Sequence, residues 1–196
     1  MKFLRENSYD IVRLFINQVG ITIFSLVLYI SLGAIEDDAA VGSLQIFMSV
    51  FAIGFYLALL YTAAWEYGAK DKIRIDGGRM TRQGYKGALM ALIANLPNII
   101  IAMLAVIFGI VYISSGSEGF NTAFSLLTLL IRFMAAMYHG VLNAVFSSFR
   151  SDVVFFNLMQ DVGYLVAPLL AIGATQLGYS LGLRERRIRD MFRANK

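Results

Sequence analysis

The chain has 196 residues, 58% of them hydrophobic and 15% charged, with a net charge of +4; soluble domains carry about 45–50% and 25%. That balance excludes an ordinary water-soluble domain, and the lack of cysteine excludes disulfides, thiolate catalysis and cysteine metal sites. The basic residues flank apolar stretches, so the positive charge points to anionic lipid headgroups and topology, with no nucleic-acid partner.

Long uncharged runs set the class. Residues 39–65 make one of 27, residues 87–117 one of 31, and residues 14–35 and 162–183 two of 22. About 20 apolar residues in a helix cross a bilayer's hydrocarbon core. The expected fold class is therefore all-α, a polytopic transmembrane helical bundle of five to six membrane segments. It fills residues 1–196 as a single transmembrane domain.

At the start, Leu4, Ile11, Val12 and Phe15 fall on one helical side, while Lys2, Arg5, Glu6, Asn7 and Arg13 are polar. This reads either as a short interfacial helix or as a helix end with snorkelling arginines. The first span follows over 14–34, retained and not cleaved as a leader, with Asn17 and Gln18 near its start seeking helix partners over lipid. Glu36, Asp37 and Asp38 make an acidic loop. The second span covers 41–65, and Tyr61, Trp65 and Tyr67 at its end suit a headgroup-level aromatic belt. Residues 66–86 read as an elaborate loop carrying Lys70, Lys72, Arg74, Arg79, Arg82 and Lys86. Six basic residues make that loop cytoplasmic by the positive-inside rule. Gly77 and Gly78 suggest a turn after a short helix or strand, and the loop is either a lipid-facing surface or a docking element for a cytoplasmic subunit.

The third span lies within 88–114. Pro97 removes a backbone donor and clashes one turn back, predicting a kink, with Asn95 and Asn98 placed to satisfy the freed groups. Residues 114–119 form a turn without a basic residue and belong outside. Residues 120–149 are apolar but interrupted by Arg132, and read as irregular or re-entrant. The last span covers 162–183, bent near its start by Pro168. The tail 184–196 holds six basic residues, with i,i+4 pairs Glu185/Arg189 and Arg186/Asp190 and apolar Ile188, Met191 and Phe192.

Counting hydrophobic segments gives five. Yet the basic residues place the N-terminus, the 66–86 loop and the C-terminus all inside, which needs an even number of crossings. A re-entrant hairpin at 120–149, two short crossings in that region, or a tail outside despite its charge would each resolve the conflict. The tail's six cations favour the even count.

Arg132 is the sharpest polar feature, because a charge at bilayer depth faces a partner, a cavity or water. Asp152, Asp161 and Glu118 are its available counter-charges. His139 lies seven residues on, nearly two turns, so both share a face if the helix is continuous; Asn143 extends that face by a turn. Such a stripe lines a solute path or serves as hydrogen-bonding glue. In the last span Gly163, Ala167, Ala171, Ala174, Gly178 and Gly182 draw a small-residue stripe suited to close helix packing, within the chain or against a partner.

Enzymatic signals are missing. There is no H-E-x-x-H and no G-x-x-x-x-G-K-[ST], Ser147 and Ser148 lack a nucleophile-elbow context, and Asp37 and Asp38 sit in a surface loop. No cofactor, metal site or enzyme activity is expected.

Residues 3–14 (FLRENSYDIVRL), 68–71 (GAKD) and 178–182 (GYSLG) resemble segments of small bacterial polytopic membrane proteins of no known activity. The resemblance implies a bacterial plasma-membrane protein. In length and span count the chain is also similar to the vitamin-binding membrane subunits of energy-coupling transporters, an analogy of size. Two functions are compatible with these features. One is a transport-related or solute-binding membrane subunit; the other is a non-catalytic scaffold that binds a membrane or cytoplasmic partner, or a second copy, through small-residue helix faces.

Overall fold

The apolar runs become helices longer than a bilayer requires. A computed structural model describes residues 2–32 and 38–185. They form α1 (Lys2–Leu32), α2 (Asp38–Asp76), α3 (Lys86–Ser115), α4 (Glu118–Met134), α5 (His139–Val145), α6 (Val153–Val166) and α7 (Pro168–Gly182), with no strand among the described residues. The tail pairs and its apolar residues beyond 185, and the acidic Glu36 and Asp37, lie outside the described residues.

Four stretches are long and apolar enough to cross a membrane: Phe3–Leu32, Ala40–Asp76, Lys86–Ser115 and Val153–Gly182. A fifth is counted if α4 and the bent segment after it make one span. Their surfaces are inverted relative to a soluble protein. Ile16, Ile23 and Ile30 on α1, Phe47 and Val50 on α2, and Ile110 and Ile113 on α3 are each more than half exposed. Apolar surface this extensive does not persist in water, and it suits a multi-pass membrane protein.

Several boundaries differ from those the sequence suggests. The supposed loop at 66–86 is helical as far as Asp76, so Lys70, Lys72 and Arg74 ride on the last turns of α2, and only Arg79 and Arg82 occupy the connection. Helix propensity and Lys72–Asp76 pairing at 2.9 Å carry the helix past its apolar run. It stops at Gly78, whose φ of 68° is left-handed and cheap only for glycine. The Arg79 amide then bonds the Arg74 carbonyl at 2.9 Å and the Gly78 amide the Ile75 carbonyl at 3.0 Å, the Schellman arrangement. The last span begins at Val153 instead of 162, because Asp152 caps α6 by accepting from the Phe155 amide at 3.0 Å. Pro168 cannot donate a hydrogen bond, and helix lapses for one residue at Ala167 before α7. α3 runs on through Pro97. Asn95 and Asn98 beside it are buried.

The described chain falls into two compact units. The first draws on Met1–Asn17, Phe55–Ala94 and Leu169–Lys196. In it α7 lies against α2 so closely that a β-carbon at Gly178 would collide with the Tyr61 carbonyl oxygen, and one at Gly182 with that of Trp65. Gly68 answers from α2 against the Tyr179 carbonyl, and a β-carbon at Gly87 of α3 would lie 2.7 Å from the Tyr179 Cβ. Tyr67 is buried here, with Arg13 5.9 Å above its ring, and so is not part of a headgroup belt.

The second unit draws on Gln18–Gly54 and Asn95–Pro168. A β-carbon at Gly109 would lie 2.9 Å from the Phe124 ring, and one at Gly163 2.6 Å from Leu142 Cδ2. The small-residue stripe is therefore divided. Gly163 serves one unit, and Ala171, Gly178 and Gly182 serve the other, with Ala167 buried, Ala174 half-buried and Thr175 fully buried beside it. The face that suggested an external partner at Gly178 and Gly182 is filled by this chain's own α2.

Gly178→Leu should lower the thermal midpoint in detergent by the equivalent of at least about 1–3 kcal/mol, since overpacking here meets backbone. Gly173→Leu, with nothing within 4 Å of the new β-carbon, should leave the midpoint unchanged. Equal midpoints for both variants would remove the packing role assigned to Gly178.

Candidate functional site

The polar residues gather in two places, one in each unit. In the second unit, helix α4 ends at Met134 and the chain turns through 88° before the Ala136–Val145 segment. The break falls at Ala135, between Arg132 and His139, so the two do not share a continuous helical face as their spacing suggested. The bend itself brings them together. Both line one cavity of about 230 Å³, walled by apolar Leu26, Leu129, Phe133 and Ala136, with Tyr29 as its other polar member.

The turned segment is tied to α1 and α2 by polar bonds. Thr22 donates to the Met134 carbonyl at 2.9 Å. The Tyr29 and Ser49 hydroxyls bond each other, and the Gly140 amide donates to both, at 2.9 and 2.8 Å. Gly140 admits this approach because a β-carbon there would collide with the Gln45 carbonyl. Asn143 reaches Gln45 Oε1 only at 3.5 Å, a weak contact. His139 Nδ1 lies 3.2 Å from the Tyr164 hydroxyl, and its ring meets Tyr29 edge-on at 5.7 Å.

Arg132 takes none of the three expected counter-charges. Its Nη2 donates to Asn157 Oδ1 at 2.7 Å and Gln160 Oε1 at 2.6 Å, both neutral amides. Asp161, wholly buried, accepts instead from the Thr128 hydroxyl at 2.6 Å, and Asp152 is the α6 cap. Among the described residues no carboxylate lies within ion-pair range of Arg132. Arg132 Nε, Gln160 Nε2 and Asp161 Oδ1 are buried without partners. Asn157 and Gln160 escaped the sequence reading, which named Asp161 only as a counter-charge for Arg132, although a signal was present. Asn157, Gln160 and Asp161 stand at i, i+3 and i+4, and Thr128 and Arg132 at i and i+4, each set on one helix face.

The first unit holds a different arrangement. Asp71, near the end of α2, is 2% exposed. It receives Lys86 Nζ at 2.6 Å and the Tyr179 hydroxyl at 2.9 Å, with Arg74 at 3.5 Å. Lys86, counted from sequence among the loop cations, is thus the first residue of α3 and buried. Gln176 of α7 caps the same helix start, accepting from the Ala88 amide at 2.8 Å and donating to the Gly84 carbonyl at 2.6 Å. Arg74, Arg79 and Lys86 help line an open polar cleft of about 530 Å³ with Glu6 and Asn7; Lys70 and Arg82 are exposed away from it, and Lys72 pairs with Asp76 and Glu185. Here each buried charge has its opposite, which marks a structural clasp. Among the described residues no group of three histidine, aspartate or glutamate side chains is placed to hold a metal ion.

Lys86→Met, leaving buried Asp71 with only the exposed Arg74 cation at 3.5 Å, should cost up to about 3–5 kcal/mol. Asp71→Asn with Lys86→Met should recover part of that loss. Thermal unfolding of the three variants in one detergent tests this; a double variant no more stable than Lys86→Met would deny the coupling.

The chain matches no protein-family model, no curated protein and no solved structure.

Proposed function

We propose that this is a transport-related membrane subunit of a bacterial plasma membrane that binds a small solute in the Arg132–His139 crevice and performs no chemistry on it. The observation that carries this reading is the state of Arg132. A guanidinium at the wall of a largely apolar cavity is held by two neutral amides, with no carboxylate among the described residues in ion-pair range. A charge so placed is costly, and a bound solute would offset that cost. The scaffold reading loses its main support, because α2 fills the glycine face of α7.

The same geometry favours five membrane segments, of which four cross fully. α4, at 17 residues, is roughly 25 Å long, short of the hydrocarbon thickness. Its end bonds Thr22, ten residues before α1 stops at Leu32, whereas Gly140 bonds Tyr29, three residues before it. The chain therefore goes in beside α1 and comes back toward the end of α1, as a re-entrant hairpin does. With 120–149 returning to its own side, the crossing number is even. The N-terminus, the 77–85 connection and the C-terminus then share the cytoplasmic side, where exposed Lys70, Arg79 and Arg82 meet anionic headgroups.

In this cysteine-free chain, Gln83→Cys should react with an impermeant maleimide only in permeabilised cells, and Ser117→Cys in intact cells; the reverse pattern would invert the topology. For the site, a panel of small organic solutes is screened by thermal shift. A true ligand at a hundred times its Kd adds about 2.7 kcal/mol, and Arg132→Ala and His139→Ala should each abolish that shift. Shifts that persist in both variants would remove their role.

A further inference from the structure

We infer that the crevice takes a single-chain lipophilic carboxylate that reaches it from the bilayer, an assignment that rests on the solute-binding reading above. Three observations converge on this class.

The first is room. At roughly 30 Å³ for a water-sized unit, about 230 Å³ holds a headgroup and only a few carbons. The remainder of a longer molecule must lie outside, and the surface there suits it. Leu129 and Phe133 on the cavity wall are each 52% exposed, and Leu126 and Leu130 beside them are 61% and 46% exposed. An alkyl chain can leave the crevice over this apolar rim without crossing a polar surface.

The second is charge. Arg132 is the one fixed cation on the wall and no carboxylate shares it. A monoanion balances that charge. A phosphomonoester carries about −1.5 to −2, more charge than one guanidinium balances, and a neutral amphiphile would leave the cavity-facing side of the guanidinium without an anionic acceptor.

The third is donor geometry. Nη2 of Arg132 is fixed by Asn157 and Gln160, which orients the guanidinium plane, while Nη1 makes no hydrogen bond among the described residues. His139 is anchored through Nδ1 to Tyr164. With the tyrosine hydroxyl donating, the ring proton sits on Nε2. In that tautomer His139 joins Arg132 as a second donor on the cavity lining, a match for the two oxygens of a carboxylate.

The test uses the full chain in phosphatidylcholine nanodiscs, with protein-free nanodiscs subtracted, and radiolabelled decanoate, decanol and decyl phosphate as probes. Decanoate should bind saturably and about tenfold or more tighter than the other two, as expected for a hydrogen-bonded charge pair. Arg132→Gln should erase that preference and Arg132→Lys retain part of it. Leu129→Trp, which plugs the rim, should block decanoate, whereas Ile110→Trp, exposed on α3 and not on the cavity wall, should not. Equal binding of decanol, tighter binding of decyl phosphate, or a decanoate preference that survives Arg132→Gln would overturn the assignment. If water-soluble benzoate binds in place of decanoate and needs Arg132, the lipophilic class falls while the solute site stands. If Leu129→Trp alters the binding of no probe, the solute site falls with it.

Discussion

Helices that turn their apolar surface outward gain little from hiding it against one another. Lipid chains solvate leucine as well as a neighbouring helix does, so cohesion has to come from close backbone contact and from polar bonds within the bundle. Both units follow this constraint. In the first, Gly68, Gly87, Gly178 and Gly182 let three helices approach until main-chain atoms touch, and Asp71, Lys86 and Tyr179 lock the contact. In the second, Gly140 brings the bent segment against the α2 backbone, Gly109 and Gly163 leave room for the Phe124 and Leu142 side chains, and hydroxyls of Thr22, Tyr29, Ser49 and Thr128 supply the bonds.

The two polar clusters differ in how completely their charges are matched. The Asp71 cluster sets a carboxylate against an ammonium and a phenol, with strong hydrogen bonds at short range. The Arg132 cluster pairs cation with amides and carboxylate with hydroxyl, one helical turn out of register for an ion pair. Thr128 meets Asp161 while Arg132 meets Asn157 and Gln160. A closed cluster stabilises a fold. An open one beside a cavity has capacity left for something else, which is why the two are assigned different roles.

Sequence alone makes the helical class plain, because uncharged runs of bilayer length have few other uses. The small-residue spacing in α7 likewise reads directly as a packing face. Where the reading stops short, the reasons are physical. Charge density suggested a loop after Trp65, yet lysine and arginine are good helix formers, and only the glycine pair at 77 and 78 ends α2. The start of α6 was hidden because Asn157, Gln160 and Asp161 break the apolar run while facing inward. The nearness of Arg132 and His139 depends on a bend at Ala135, a residue with no turn signature of its own. Asp71 and Lys86 meet across the 77–85 connection, a pairing that periodicity cannot express.

Gln176 has a consequence for biosynthesis. The amide of Ala88 and the carbonyl of Gly84 have their partner on a helix made some ninety residues later, and Tyr179, which completes the Asp71–Lys86 pair, lies on that same helix. While the ribosome is still producing the middle of the chain, the front of α3 remains uncapped and its ion pair lacks its phenol. Insertion of the earlier helices therefore precedes their final locking. α7 acts as the bolt of the first unit, and a ribosome that stalls before Gln176 releases a chain whose N-terminal helices are in place but not fastened.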